Sequence, residues 1–178
     1  MNSSAYNTKM KIVSAFNELL RDNNFSKITV SSIVSLANIS RTTFYRHFKD
    51  KYDIIHWFHS QNNMISHLVF QENRGLKECL YYGLLVIQKH RHIYIQVLDY
   101  VGQNSFHNYY TQLIEEGCKN FIGEENLSKE ILIAIKVYAY GITYVICDWI
   151  KNEIDESPEE LASFLSTALP NALCKYYF

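Results

Sequence analysis

Residues 29–48 read TVSSIVSLANISRTTFYRHF. Val30, Ile33, Val34 and Ala37 recur at i, i+3, i+4 and i+7, the spacing that lines one face of an α-helix with apolar side chains. Thr29 stands where a hydroxyl caps a first turn, and Ser40 stands where one caps a second helix. Between them Asn38 accepts the left-handed backbone of a sharp turn almost as readily as glycine. Ile39 plugs the turn into a core, and Ala37 is small where two helices must cross. The stretch predicts a helix, a short turn and a second helix over about residues 41–48, which is the helix-turn-helix plan.

The second helix has a distinctive surface. Phe44 and Phe48, four apart, hold it to a core. Arg41, Thr42, Thr43, Tyr45, Arg46 and His47 cover the rest, with no acid among them. At 1.5 Å per residue so short a helix is a rod of roughly 13 Å, matched to a B-DNA major groove about 12 Å wide. Arg41, Thr42 and Thr43 lie at its N-terminal end, where this motif makes base contacts. Tyr45 and His47 can donate to phosphate oxygens. Lys51 adds a cation at the start of the next helix, where backbone N–H groups already favour phosphate, and Lys49 is a further candidate. The charge balance agrees. Residues 1–52 carry +5 and the remainder −6, within a chain of net charge −1. A basic head on an acidic body is expected when only the head meets a polyanion.

TFYRHFKDKYDI, preceded by ITVSSIVSLANIS, resembles the DNA-binding segment of TetR-family bacterial transcriptional regulators. The resemblance covers about residues 9–57, and its most specific element is the string T-F-Y-x-H-F-x-x-K. It implies an all-α protein: a three-helix helix-turn-helix head, a body of about six further helices, a homodimer and an effector pocket in the body. Position by position, Thr29, Tyr45, His47 and Lys51 fall where the family contacts phosphates. Arg41, Thr42, Thr43 and Arg46 fall where it contacts bases or the adjacent backbone. Asn38 departs from the glycine the family often has there. The implied function is a cytoplasmic repressor that binds a pseudopalindromic operator and is released by a small molecule. The stretch WIKNEIDESPEELASFL resembles that of regulators common in Gram-positive bacteria, some of which activate with a protein partner, so activation is the alternative.

Elsewhere helical periodicity dominates. Ile12, Ala15, Phe16 and Leu19 mark a first helix over about 8–23, and a long helix is predicted over 51–71 with Asp50 as its cap. Others are expected at about 76–90, 93–101, 106–121, 128–151 and 158–176. Ser157-Pro158-Glu159-Glu160 is a helix start, with a cap, a proline in the first position and acids in the first turn. Pro170 is expected to bend the last helix near 166–169. The natural division is a DNA-binding head, 1–51, and an effector-binding and dimerisation body, 52–178.

The segment 131–150 is apolar all round and so needs cover on more than one side. Tyr138, Ile142, Val145 and Trp149, with Gly141 allowing close backbone approach, are assigned to a partner subunit. Leu161, Leu165 and Leu169 of the last helix join them in a four-helix dimer bundle. Its length suits a membrane span, but Lys136, Asp148 and three tyrosines argue for a buried helix, and no membrane is expected.

Aromatic residues make up 15% of the chain. Trp57, Met64, His67, Tyr82, Tyr100, Phe106 and Tyr109 are candidates to line an effector cavity, with ordinary core packing the competing reading. No HExxH, P-loop, GxSxG or GxGxxG occurs, so neither an enzyme nor a cofactor is expected. His56 and His59, three apart, have no cysteine or glutamate in a metal-site frame, so no metal is expected. Four dispersed cysteines predict reduced thiols. A helical small-molecule carrier would account for the aromatic body but not for the head.

Overall fold

A computed structural model describes residues 3–62, 75–98 and 105–177, and among these the regular structure is helical, as the sequence predicts. The chain divides into two compact units, 1–61 and 62–178. That division falls beyond the Lys51 boundary read from the sequence, because the fourth helix is bound into the first unit by its rings. Phe25 lies 5.0 Å from Tyr52, and Phe48 lies 6.1 Å from Trp57.

The first unit contains α1 (Ser3–Asp22), a 3-10 turn (Phe25–Lys27), α2 (Val30–Leu36), α3 (Arg41–His47) and α4 (Lys51–Asn62). The remainder of the predicted long helix, 63–71, lies outside the described residues. Ile12 and Phe16 of α1, Ile33 of α2, Phe44 of α3 and Ile54 of α4 are all essentially inaccessible and form its core. α1 packs on α2 and α3, and α2 packs on α3.

Local chemistry fixes each junction. Thr29 Oγ1 accepts from Ser32 N at 3.1 Å while Ser32 Oγ accepts from Thr29 N, a reciprocal cap on α2. α2 ends in a Schellman turn: Ile39 N donates to Val34 O at 3.1 Å and Asn38 N to Ser35 O at 3.2 Å. Asn38 takes the left-handed conformation, φ 50°, which the sequence assigns to it. Ser40 Oγ then accepts from Thr43 N at 3.0 Å. Asp50 accepts from Asp53 N, and the Asp53 carboxylate accepts from Lys49 N, each at 2.9 Å. Ser40→Ala removes the α3 cap and is expected to cost about 1 kcal/mol, measured by denaturant unfolding of the full chain.

The second unit contains α5 (Leu76–Lys89), α6 (Arg91–Val97), α7 (Phe106–Ile122), a 3-10 turn (Glu124–Asn126), α8 (Lys129–Ile150), α9 (Pro158–Thr167) and α10 (Asn171–Tyr177). α8 is central, packing against α6, α7 and α10, and α9 packs on α5. Polar contacts lock this arrangement. Tyr138 Oη donates to Leu165 O at 2.9 Å, and Thr111 Oγ1 to Thr143 Oγ1 at 3.2 Å. Trp149 Nε1 donates to Glu156 O at 2.8 Å. Arg91 closes the C-terminus of α8 by donating to the carbonyls of Ile150 and Trp149, with its guanidinium 5.4 Å from the Trp149 ring centre. No disulfide joins the four cysteines. Burial raises the Cys118 thiol pKa and pushes that of Cys147 up to about 12.

Two expectations are corrected here. Pro170 does not bend one helix but separates two. α9 stops at Thr167, because proline cannot donate back to Ser166, and α10 begins at Asn171. The second correction concerns α8. Tyr138, Ile142 and Trp149, with Leu161, Leu165 and Leu169, are buried in this chain's own unit rather than available to a partner. Val145 is half-buried, and of the group only Gly141 is exposed. The opposite face of α8 is the open one. Ile133 is 65% exposed, Val137 63% and Tyr144 56%, with Tyr140 between them and Phe164 of α9 also exposed. Both faces are apolar, and α6, α7 and α10 cover only one of them. The stretch 129–150 is long and apolar enough to cross a membrane, but half of it is buried inside the unit, as in a core helix.

Candidate nucleic-acid interface

α3 is anchored from beneath and open above. Phe44 is fully buried, and its ring lies 6.1 Å from that of Phe48. These two rings fix the rod's height and rotation, so the remaining positions must face outward. Arg41, Thr42, Tyr45 and Arg46 are exposed, and Thr43 and His47 are half-buried. Tyr45 is 58% exposed although its ring packs edge-on against Phe44 at 5.4 Å. The hydroxyl therefore projects from a rigid base. No carboxylate belongs to α3, and Asp50 and Asp53 are turned to capping at the start of α4. Among the described residues, the side chains of Arg46, His47 and Lys49 have no hydrogen-bond or ion-pair partner.

Three expected contacts are altered by local bonds. Thr43 Oγ1 is 2.9 Å from Ser40 Oγ, so its hydroxyl is already engaged at the cap. Thr29 is exposed, but its side-chain oxygen accepts the Ser32 N–H. Lys51 departs furthest from the sequence reading. Its Nζ donates to Phe25 O at 2.7 Å, Ile28 O at 2.8 Å and Ser26 O at 3.4 Å, and lies 4.3 Å from the centre of the Phe25 ring. An ammonium has three N–H donors, and here all three point at backbone carbonyls. Burial lowers the Lys51 pKa, while Asp50 pulls it back up. In this conformation Lys51 clamps the 3-10 turn rather than presenting a charge to phosphate.

One contact was not foreseen from the sequence. The Arg41 guanidinium donates from Nη2 to the Ser31 hydroxyl on α2. The pair is ten residues apart and spans the turn, so no helical periodicity reveals it.

The expected effector residues fall partly in each unit and partly outside the described residues. Trp57 belongs to the first unit, where its ring packs with Tyr6 and Phe48 and takes the Lys9 ammonium at 5.5 Å. Phe106 is buried, stacked on Tyr110 and tilted against Tyr94, both at 5.3 Å. Tyr82 and Tyr109 are half-buried, and Met64, His67 and Tyr100 lie outside the described residues. A partly open cavity of about 420 Å³ in the second unit is lined by Lys77, Glu78, Tyr81 and Glu159. No group of three or more metal-ligating side chains gathers among the described residues.

Comparison with known proteins agrees with this geometry. Residues 12–56 match the family model for bacterial regulatory proteins of the tetR family, and 76–171 match that for a transcriptional regulator C-terminal region. A 50-residue segment is 36% identical to the HTH-type dhaKLM operon transcriptional activator DhaS of Lactococcus lactis subsp. lactis. That match spans 28% of this chain and 27% of the relative. Among solved structures, a dihydroxyacetone kinase operon activator DhaS superposes with TM-score 0.63 at 21% identity, covering 96% of this chain and 98% of the other. A TetR transcriptional regulator from Streptococcus agalactiae superposes with TM-score 0.62 at 20% identity, covering 94% and 96%. The fold therefore extends beyond the head to the body, and the chain belongs to the TetR family of bacterial transcriptional regulators.

Proposed function

We propose that the protein acts in the cytoplasm as a homodimer that binds a pseudopalindromic operator and represses transcription until a small molecule binds the body. The observation that carries the DNA-binding reading is the exposed, acid-free surface of α3 over buried Phe44 and Phe48. Arg41, Thr42 and Arg46 face bases, and Tyr45, His47 and Lys49 face phosphates, while Thr43 and Thr29 hold the caps of α3 and α2. The second copy covers the open side of α8, at Ile133, Val137, Tyr140, Gly141 and Tyr144. Ile133, Val137, Tyr140 and Tyr144 follow one another by four, three and four residues and so form one stripe along the helix, with Gly141 beside Tyr140. Two heads related by a two-fold axis read half-sites about one helical turn, ~34–36 Å, apart.

Selection from a random duplex library should recover such a pair of half-sites. Titration at stepped salt should then give a slope of about −4 in log K against log salt, from roughly two phosphates neutralised per protomer. A salt-independent interaction, or none, would leave the carrier reading. The likeness to DhaS, named an activator, favours activation as the second reading. Transcription in vitro from a template bearing the selected site separates the two by its sign.

A further inference from the structure

We propose that Ser31 is a positioning residue for base recognition, holding the Arg41 guanidinium so that its remaining N–H groups meet a base edge in one orientation. The inference rests on α3 being the DNA-reading helix. Its geometric basis is the bond from Arg41 Nη2 to Ser31 Oγ. Both partners stand on backbone that cannot easily yield. Ser31 lies inside the reciprocal cap formed by Thr29 and Ser32. Arg41 is the first residue after the Ser40 cap, on a helix pinned by Phe44.

The chemistry of the pair suits a reading head. Guanidinium carries five N–H donors in a rigid plane, and recognition of guanine O6 and N7 uses only two. One donor spent on Ser31 leaves the fork intact while removing most of the freedom of a long, exposed side chain. An unrestrained arginine must be ordered on binding and can tilt toward a neighbouring base or phosphate with little loss. Ser31 carries no charge and adds nothing to counterion release, so its contribution is to discrimination and not to general affinity.

The test is library selection and competition binding with the whole 178-residue chain, comparing wild type, Ser31→Ala, Ser31→Thr, Arg41→Ala and the double variant. The base position that loses preference in Arg41→Ala identifies the Arg41 contact. At that position Ser31→Ala should lower discrimination roughly three- to tenfold, with an unchanged salt slope and unfolding midpoint. Ser31→Thr should restore it, and in the Arg41→Ala background Ser31→Ala should have no further effect. Full discrimination in Ser31→Ala overturns the proposal. So does an equal loss with and without Arg41, which would make Ser31 a direct base reader. If wild type itself shows no salt-dependent binding to any duplex, the DNA-reading role of α3 fails first, and the proposal fails with it.

Discussion

Val137→Glu is expected to convert the protein to a monomer in sedimentation and to abolish most of its affinity for a paired operator site. Val137 is 63% exposed at the middle of the open α8 stripe, between Ile133 and Tyr140. In a two-fold interface one substitution enters twice, near its own copy, placing two carboxylates in apolar surroundings. Burying an unpaired charge costs several kcal/mol, enough to weaken association by roughly a hundredfold or more. Operator binding falls with it, since two linked heads gain about 10²- to 10⁴-fold over one. The folded subunit should survive, because position 137 faces outward. Leu165→Glu makes the contrast. Leu165 is 5% exposed and its carbonyl receives the Tyr138 hydroxyl, so that change should unfold the body. A dimeric Val137→Glu protein would place the interface elsewhere.

Lys51→Met should destabilise the head by about 2 kcal/mol while leaving the salt slope of DNA binding unchanged. The ammonium bonds three carbonyls of residues 25, 26 and 28 beside the Phe25 ring. A hydrogen bond to a charged group contributes about 1.5–3 kcal/mol, and the partly solvated setting argues for a total near the lower end of that range. Methionine keeps the stem and removes the donors. Urea unfolding gives the stability change, and salt titration gives the slope. A slope smaller by about one unit per protomer, with unaltered stability, would return Lys51 to the phosphate role that the family resemblance implies.

Legibility followed the range of the interaction. The Ser40 cap, the Asn38 turn and the Asp50 cap are set within four residues, and sequence chemistry located all of them. The Lys51 clamp joins the start of α4 to a turn more than twenty residues upstream. The Ser31–Arg41 pair spans the helix-turn-helix itself. Neither has a periodic signature. On α8, periodicity found two apolar faces but held no information about which of them the chain covers itself. Tyr138 and Trp149 look no more internal than Tyr144 until α6, α7 and α10 are in place. Of the aromatic residues read as effector candidates, Trp57 belongs to the first unit and Phe106 to the second, a division that composition carries no signal of.

The uncovered ridge of α8 also bears on how the cell would handle a newly made copy. A solitary chain leaves the ribosome with isoleucine, valine and two tyrosines wetted along one rod. An apolar ridge of this kind favours association with another surface, and on the pairing proposed above that surface is a second copy. The concentration of the paired, operator-binding form would then rise more steeply than that of the chain itself, giving its control circuit a threshold before any effector is present.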